Sequence, residues 1–338
     1  MVTIYDIAKK ANVSTMTVSR VINNTGSIKE STKQKIESAI KELGYIPNTA
    51  ARSLTSKKTK LLSLIVSDIT NPFFTKVTRG AEDKALEMGY QLLLSNSDED
   101  IKKESIYIDM ILSTRVDGVL ITPTGDQSIK ELNKLRDHDI PIVLLDRDIA
   151  NFKCDQVIGD SYNGSRKLME HLIEWGHKKI ALINGPSTIS TARERQRGYL
   201  EAIQLAGLRI HHDYISQINF KIDNAMKVVQ KLLSLPKHEQ PTAIFAANNF
   251  IAISTIKALH SFGWHVPKDI AVVSFDDIEP IESFNPFLTV ASQPAYQFGQ
   301  KGIKLLIDRI NGRIEGESKT TVLTPEIRIR ESSKKALS

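Results

Sequence analysis

The chain has 338 residues, 45 Lys and Arg against 39 Asp and Glu, and an isoelectric point near 9.1. With 41% hydrophobic and 25% charged residues and no low-complexity tract it is not a disordered chain, and its length suits about two or three domains. The longest apolar runs fall far short of the roughly 18 residues that span a bilayer, and the N-terminus lacks the apolar core of a signal peptide, so a cytoplasmic location is expected. A single cysteine, Cys154, excludes an internal disulfide framework and a cysteine-based zinc site, and reads as a small buried residue. The positive charge is local: residues 1–60 hold 11 Lys and Arg against 4 Asp and Glu, a net of +7, and the remainder has a net of −1. A basic head on a neutral body points to a polyanion-binding module on a carrier.

In chain order, the first 45 residues read as three short helices. Ile4, Ile7, Ala8 and Ala11 recur at helical spacing, with Asp6 to cap or lead that helix. Ser14 is the next N-cap, and a helix from Thr15 to Asn23 turns Val18, Val21 and Ile22 inward. Its outer face then carries Thr15, Met16, Thr17, Ser19, Arg20 and Asn23, as a groove-reading helix requires. A third helix buries Ile36, Ala39, Ile40 and Leu43 and stops at Gly44. Pro47 opens a segment, about 48–56, too short to be a stable helix alone in water.

From Leu61 the pattern becomes apolar runs of strand length alternating with amphipathic stretches. Strands are expected at 62–66, 91–94, 119–122, 142–145, 180–183, 243–245 and 270–275. Helices are expected near 73–88, 105–112, 163–175, 197–206, 224–235, 248–262 and 296–310. Such alternation implies parallel sheets covered on both faces, with ligands at the carboxyl ends of strands. About 270 residues of it suit two lobes with a cleft between them.

The segment Thr3-Ile4-Tyr5-Asp6-Ile7-Ala8, followed by Ala11-Asn12-Val13-Ser14 and Thr17-Val18-Ser19-Arg20-Val21-Ile22-Asn23, resembles the N-terminal signature of the LacI/GalR family of bacterial transcription regulators. The likeness continues through Gly44-Tyr45-Ile46-Pro47-Asn48 and Ala51-Arg52-Ser53-Leu54, similar to the family's hinge helix, and on to Arg330. It implies an α+α/β architecture: a three-helix helix-turn-helix domain (1–46), a hinge helix and linker (47–59), and a two-lobed, periplasmic-binding-protein-like sensor (60–338) with parallel sheets. The lobes are expected at about 60–159 with 290–318, and 160–289 with 319–338.

By that resemblance Thr15, Met16 and Arg20 meet base edges, Arg20 as a fork to guanine, and Leu54 wedges a base step in the minor groove. Tyr5, Ser14, Thr17, Asn23, Thr32, Tyr45 and Asn48 match backbone contacts. In the sensor, Phe73 and Phe74 follow the loop after the first strand. Thr191 and Arg195 lie in a segment like the family's effector clamp. Asp146, Arg147, Asn248 and Asp276 each follow a strand. Asn249 stands where the family commonly has Asp, and Ser274 where it has Gly. Fewer carboxylates beside an arginine favour an acidic effector over a neutral sugar.

Gly-x-Gly-x-x-Gly after a strand, a Walker loop and His-Glu-x-x-His are absent, and Gly159-Asp160-Ser161-Tyr162-Asn163 fails the nucleophile-elbow pattern. His177 and His211-His212-Asp213 read as structural. No enzyme, cofactor or metal is therefore expected. The expected protein is a homodimeric repressor that binds double-stranded operator DNA and is controlled by a carbohydrate-derived effector: a sugar, sugar acid or sugar phosphate. Two alternatives are a catabolite-control-type regulator answering to a phosphorylated carrier protein and, more remotely, a transporter's solute-binding protein.

Overall fold

The computed structural model describes residues 2–22, 25–45, 58–220, 225–278 and 286–334. It divides the chain into two compact units, Met1–Thr59 and Lys60–Ser338.

The first unit is built on α1 (Ile4–Ala11), α2 (Thr15–Ile22) and α3 (Glu30–Leu43). The Asp6 carboxylate accepts from Thr3 N at 2.8 Å and from its hydroxyl at 2.7 Å, closing the first helix's N-terminus. Those two bonds hold Asp6 below the usual carboxylate range. Asn12 in the left-handed region (φ 52°) reverses the chain, and Ser14 Oγ then accepts from Thr17 N to cap α2. Gly44 (φ 61°) ends α3. Ile7, Ala8, Val18, Val21, Ile36 and Ala39 form the small shared core. Asn23, Asn48, Leu54 and most of the expected hinge helix lie outside the described residues.

The second unit holds two six-stranded sheets. The first has the order β11-β5-β4-β3-β1-β2, from β1 (Leu61–Val66), β2 (Gln91–Asn96), β3 (Gly118–Ile121), β4 (Ile142–Asp146), β5 (Asp155–Gly159) and β11 (Thr320–Leu323), all parallel. The second has the order β12-β10-β9-β8-β6-β7, from β6 (Ile180–Asn184), β7 (Ile215–Gln217), β8 (Ala243–Ala246), β9 (Ala271–Phe275), β10 (Thr289–Ser292) and β12 (Glu326–Arg328). It is parallel except for β10 against β12. The central strands are apolar and buried throughout, as strands covered on both faces must be.

Helices α4 (Pro72–Glu87), α5 (Ile101–Thr114), α6 (Ile129–Asp137) and α11 (Ala295–Ile310) serve the first lobe. The second lobe carries α7 (Ser161–Glu174), α8 (Ser190–Leu205), α9 (Met226–Leu233) and α10 (Asn249–Ser261). Helices α4 and α11 meet backbone to backbone, because a Cβ at Gly80 would strike the Tyr296 carbonyl and one at Gly299 the Val77 carbonyl.

The chain crosses between lobes three times, between β5 and α7, between β10 and α11, and between β11 and β12. This corrects the expected lobe boundaries at 290 and 319. Strand β10 pairs with β9 in the second lobe, so that crossing comes after Ser292. Strand β11 pairs with β5 in the first lobe, so the last crossing comes after Leu323. Both strands are short, and the pairing of β11 with β5, Thr320 against Gln156, spans a separation in sequence that no local pattern records.

Candidate functional site

In the head, Met16 and Arg20 stand four residues apart on one exposed face of α2, Met16 with 65% of its surface free. Thr15 and Thr17 flank them half-buried, and Ser14 is exposed at the cap. Tyr5, 72% exposed, projects from α1. Thr32 lies half-buried in the first turn of α3, and Tyr45 packs partly against the head's core.

In the sensor, all eight residues singled out from the sequence line one cleft between the lobes, leaving about 370 Å³ of empty space among them. The first lobe contributes Phe73, Phe74, Asp146 and Arg147, and the second Thr191, Arg195, Asn248 and Asp276. Local rules place them. Asn71 Oδ1 caps α4 by accepting from Phe73 N at 3.0 Å, and Asn248 Oδ1 caps α10 by accepting from Ile251 N at 2.8 Å. Both helices therefore start at the cleft, positive ends toward it. Asp146 ends β4 and Asp276 follows β9, both at positive φ (63° and 62°), a region that aspartate tolerates better than most residues. Phe73 and Phe74 are both buried, edge to face at 5.0 Å, and Phe73 meets Phe298 in the same way at 5.4 Å. Each thus serves the core and the cleft wall together.

The two arginines differ. Arg147 is locked in a bidentate pair with Glu99, at 2.8 and 2.6 Å, and donates to the Pro123 carbonyl at 3.0 Å. Arg195 donates to the Ala247 carbonyl at 2.6 Å, lies 3.9 Å above the Phe275 ring, and reaches Asp276 only at 3.7 Å. The buried Nε of each arginine has no hydrogen-bond partner among the described residues, so the difference lies at the terminal nitrogens. Burial lowers Arg195 from its ordinary value against the opposing pull of Asp276 and Asp146. Burial also pushes Asp276 up to about 6, with Arg195 pulling the other way, and raises Asp146 in the same manner.

The sequence reading set the loop from Asp68 to Phe74 against the effector without singling out Asp68 or Asn71, and it missed Glu99 and Phe220 in the cleft wall and Gln293 in the second crossover. Gln293 Nε2 donates to Asp276 at 2.9 Å and reaches Asp146 at 3.5 Å, so one amide spans a carboxylate from each lobe. The only local signals were the strand-end positions of Asp68 and Glu99. Their presence corrects the carboxylate-poor reading: the cleft holds four carboxylates (Asp68, Glu99, Asp146, Asp276) and two guanidiniums. Asn249 is also accounted for. It exchanges two amide hydrogen bonds with Asn71 across the lobes, at 3.0 and 2.9 Å, which an aspartate could not return.

A second set of cross-lobe bonds leaves from the start of α8. Arg193 forks onto Asp126 at 2.7 and 3.2 Å, Asp126 N donates to the Thr188 carbonyl at 2.9 Å, and Asp148 N donates to Ser190 Oγ at 3.0 Å. The same helix therefore carries the unsatisfied Arg195 and the lobe-to-lobe fastening.

His177 Nδ1 shares a hydrogen bond with Thr242 at 2.9 Å, and His211 stacks on Tyr214 at 4.8 Å. Cys154 is half-buried, not fully buried as expected, and desolvation pushes its thiol up to about 12. No helix among the described residues is long and apolar enough to cross a membrane.

Family comparison agrees with this division. The model of "Bacterial regulatory proteins, lacI family" matches residues 3–48, and that of "Periplasmic binding proteins and sugar binding domain of LacI family" matches residues 59–332. The chain belongs to the LacI family. Among LacI-family relatives, an HTH-type transcriptional repressor PurR of Aliivibrio fischeri (strain MJ11) is 35% identical over 334 residues, 98% of each chain. A lac repressor dimer bound to operator and the anti-inducer ONPF superposes with a TM-score of 0.83 at 26% identity, covering 98% of this chain and 99% of that one. A transcriptional regulator CelR–cellobiose complex does so at 0.73 and 30% identity, covering 98% and 100%. As a LacI-family protein the chain is a DNA-binding transcription regulator with an effector-binding domain, and not an enzyme.

Proposed function

We propose that the chain is a homodimeric repressor, working in the bacterial cytoplasm, that reads operator DNA with α2 and is switched by a neutral, hydroxyl-rich effector closed between its lobes. The observation that carries the effector reading is the meeting of Asp146 and Asp276, one from each lobe, on Gln293 and beside the incompletely bonded Arg195. Ionised carboxylates only accept hydrogen bonds, and a guanidinium only donates. A ligand hydroxyl does both, so a sugar can satisfy the two kinds of group at once. Because Glu99 already neutralises Arg147, an anion entering the cleft would face three carboxylates with Arg195 alone, itself 3.7 Å from Asp276, to receive it. This reverses the preference for an acidic effector. Cellobiose in the CelR complex supports a carbohydrate ligand.

Dimerisation is supported by the lac repressor dimer and by exposed apolar side chains around edge strand β2: Leu86, Leu94, Ile106 and Met110. One short recognition helix specifies little, and two half-sites about one helical turn apart supply the rest. Selection from random DNA with the full chain should recover an inverted repeat. Arg20→Ala should then lose about 1–3 kcal/mol of discrimination at one base pair of each half-site while retaining non-specific binding. A selected pool without two-fold symmetry would sink the dimeric reading. For the effector, a sugar at about 100 times its dissociation constant should stabilise the protein by roughly 2.7 kcal/mol in a thermal-shift screen. Stabilisation by sugar acids and not by neutral sugars would overturn the neutral-ligand reading.

A further inference from the structure

Glu104 stands in the first turn of α5 and is fully buried, a costly place for a carboxylate. What it bonds is a loop. Its Oε2 accepts from the Thr124 amide at 2.8 Å and from the Thr124 hydroxyl at 2.6 Å, and Ser128 Oγ lies 3.2 Å from that hydroxyl. Burial raises the Glu104 carboxyl above its ordinary value, against the opposing pull of the Ser128 and Thr124 hydrogen bonds and of Arg147. Thr124 belongs to the segment 123–126 that follows β3, and each of its neighbours there meets a different part of the molecule. The Pro123 carbonyl accepts from Arg147 in the cleft wall at 3.0 Å. Gly125 lies so near the second lobe that a Cβ on it would stand 3.0 Å from the Thr188 carbonyl oxygen. Asp126 donates its amide to that same carbonyl at 2.9 Å and takes the Arg193 fork on its carboxylate. Four consecutive residues thus run from the effector cleft to the lobe-to-lobe fastening, with Glu104 anchoring them between.

The fastening groups are weak by themselves. Arg193 and Asp126 are each more than a third exposed, and such a pair holds little once the cost of ordering its side chains is met. Its hold then depends on the loop being delivered in order, which removes that cost beforehand. We infer that Glu104 is a positioning residue for lobe closure: it keeps the 123–126 segment in the conformation that the second lobe grips, and so sets the balance between fastened and parted lobes without touching the effector. A ligand that bridges the lobes binds the fastened form, so its apparent affinity follows the fastened fraction. The bond from Arg147 to Pro123 makes the same segment part of the cleft wall, which gives effector binding and fastening one shared element.

Hydrogen exchange of the full chain without any ligand, resolved to single amides, tests this. The Asp126 and Asp148 amides are the reporters, because each donates to an acceptor in the second lobe, the Thr188 carbonyl and Ser190 Oγ, that a change at Glu104 leaves in place. Glu104→Ala should speed both by about tenfold or more while amides in the central strands β1 and β6 keep their rates. Glu104→Gln, which retains an oxygen to accept from Thr124, should bring both reporters back toward the wild type. Thr124→Val removes the hydroxyl bond and keeps the amide bond, so it should speed both reporters by a smaller factor. If Glu104→Ala speeds the central strands as well, the fold itself is damaged and Thr124→Val decides. A faster Asp126 beside an unchanged Asp148 confines Glu104 to its own loop and overturns the inference, as do unchanged rates at both. A Glu104→Gln chain that exchanges as fast as Glu104→Ala overturns it too, since the acceptor that should restore the segment is present.

Discussion

The two lobes present the same parts to the cleft and use them differently. Each sends in a helix capped by an asparagine, Asn71 or Asn248, and an aspartate at positive φ after a strand, Asp146 or Asp276. The arginines break the likeness. Arg147 in the first lobe is bound to Glu99 in a closed, bidentate pair, whereas Arg195 in the second has one backbone partner, a ring beneath it and a distant carboxylate. The same side chain is thus a structural strut on one side and a receptor on the other. What decides is whether a carboxylate of the protein completes its hydrogen bonds or leaves them to a ligand.

Exchanging the two arginines for an apolar residue sharpens this contrast. Arg147→Met should cost about 3–5 kcal/mol of folding free energy, because Glu99 would be left charged and largely buried. Chemical denaturation measures it, and a loss under about 1 kcal/mol would show that the pair is not a strut. Next in size is a pH effect at Asp276. The folded value for Asp276, about 6, stands above its ordinary 3.8, so folding favours the protonated form. This contribution is fully present below about 3.8 and is lost as pH rises through about 6, a change on the order of 3 kcal/mol. Asp276→Asn should remove that falling component from a stability-against-pH curve. Ligand hydroxyls favour the ionised carboxylate, so effector affinity in the wild type should also rise across the same window.

Arg195→Met should weaken effector binding by about 1.5–3 kcal/mol, the worth of hydrogen bonds to a charged group, while costing less folding stability than Arg147→Met. Titration beside denaturation gives both numbers, and a larger stability loss at Arg195 than at Arg147 would invert the comparison. The smallest effect belongs to the cross-lobe fastening. Arg193 and Asp126 are each more than a third exposed, so Arg193→Ala should cost only about 0.2–1 kcal/mol, read as weaker effector binding with the cleft residues untouched.

Much of this was legible before the fold. The head's helices, caps and inward stripes follow from spacing and N-cap chemistry, which act within a few residues. So do the central strands, whose unbroken apolar runs leave little choice, and the strand-end positions that became the cleft wall. Helix α6 was missed because Leu132 and Leu135 are its only buried apolar positions, between charged residues. Strands β5, β7, β10, β11 and β12 were missed because they are short and several sit at or near a sheet edge, where one face keeps polar residues.

By itself the sequence determined that a basic three-helix head precedes a two-lobed parallel α/β sensor, and which residues stand at the strand ends facing a ligand. Those facts rest on local periodicity and on charge that is counted, not folded. Only the tertiary structure decided that Glu99, 48 residues away, takes Arg147 out of the binding chemistry, that Gln293 joins carboxylates of opposite lobes, and that Asn249 answers Asn71 across 178 residues. Such partners are chosen by which strand ends the sheet order brings together, and by which buried polar groups must then satisfy one another. No local pattern records either.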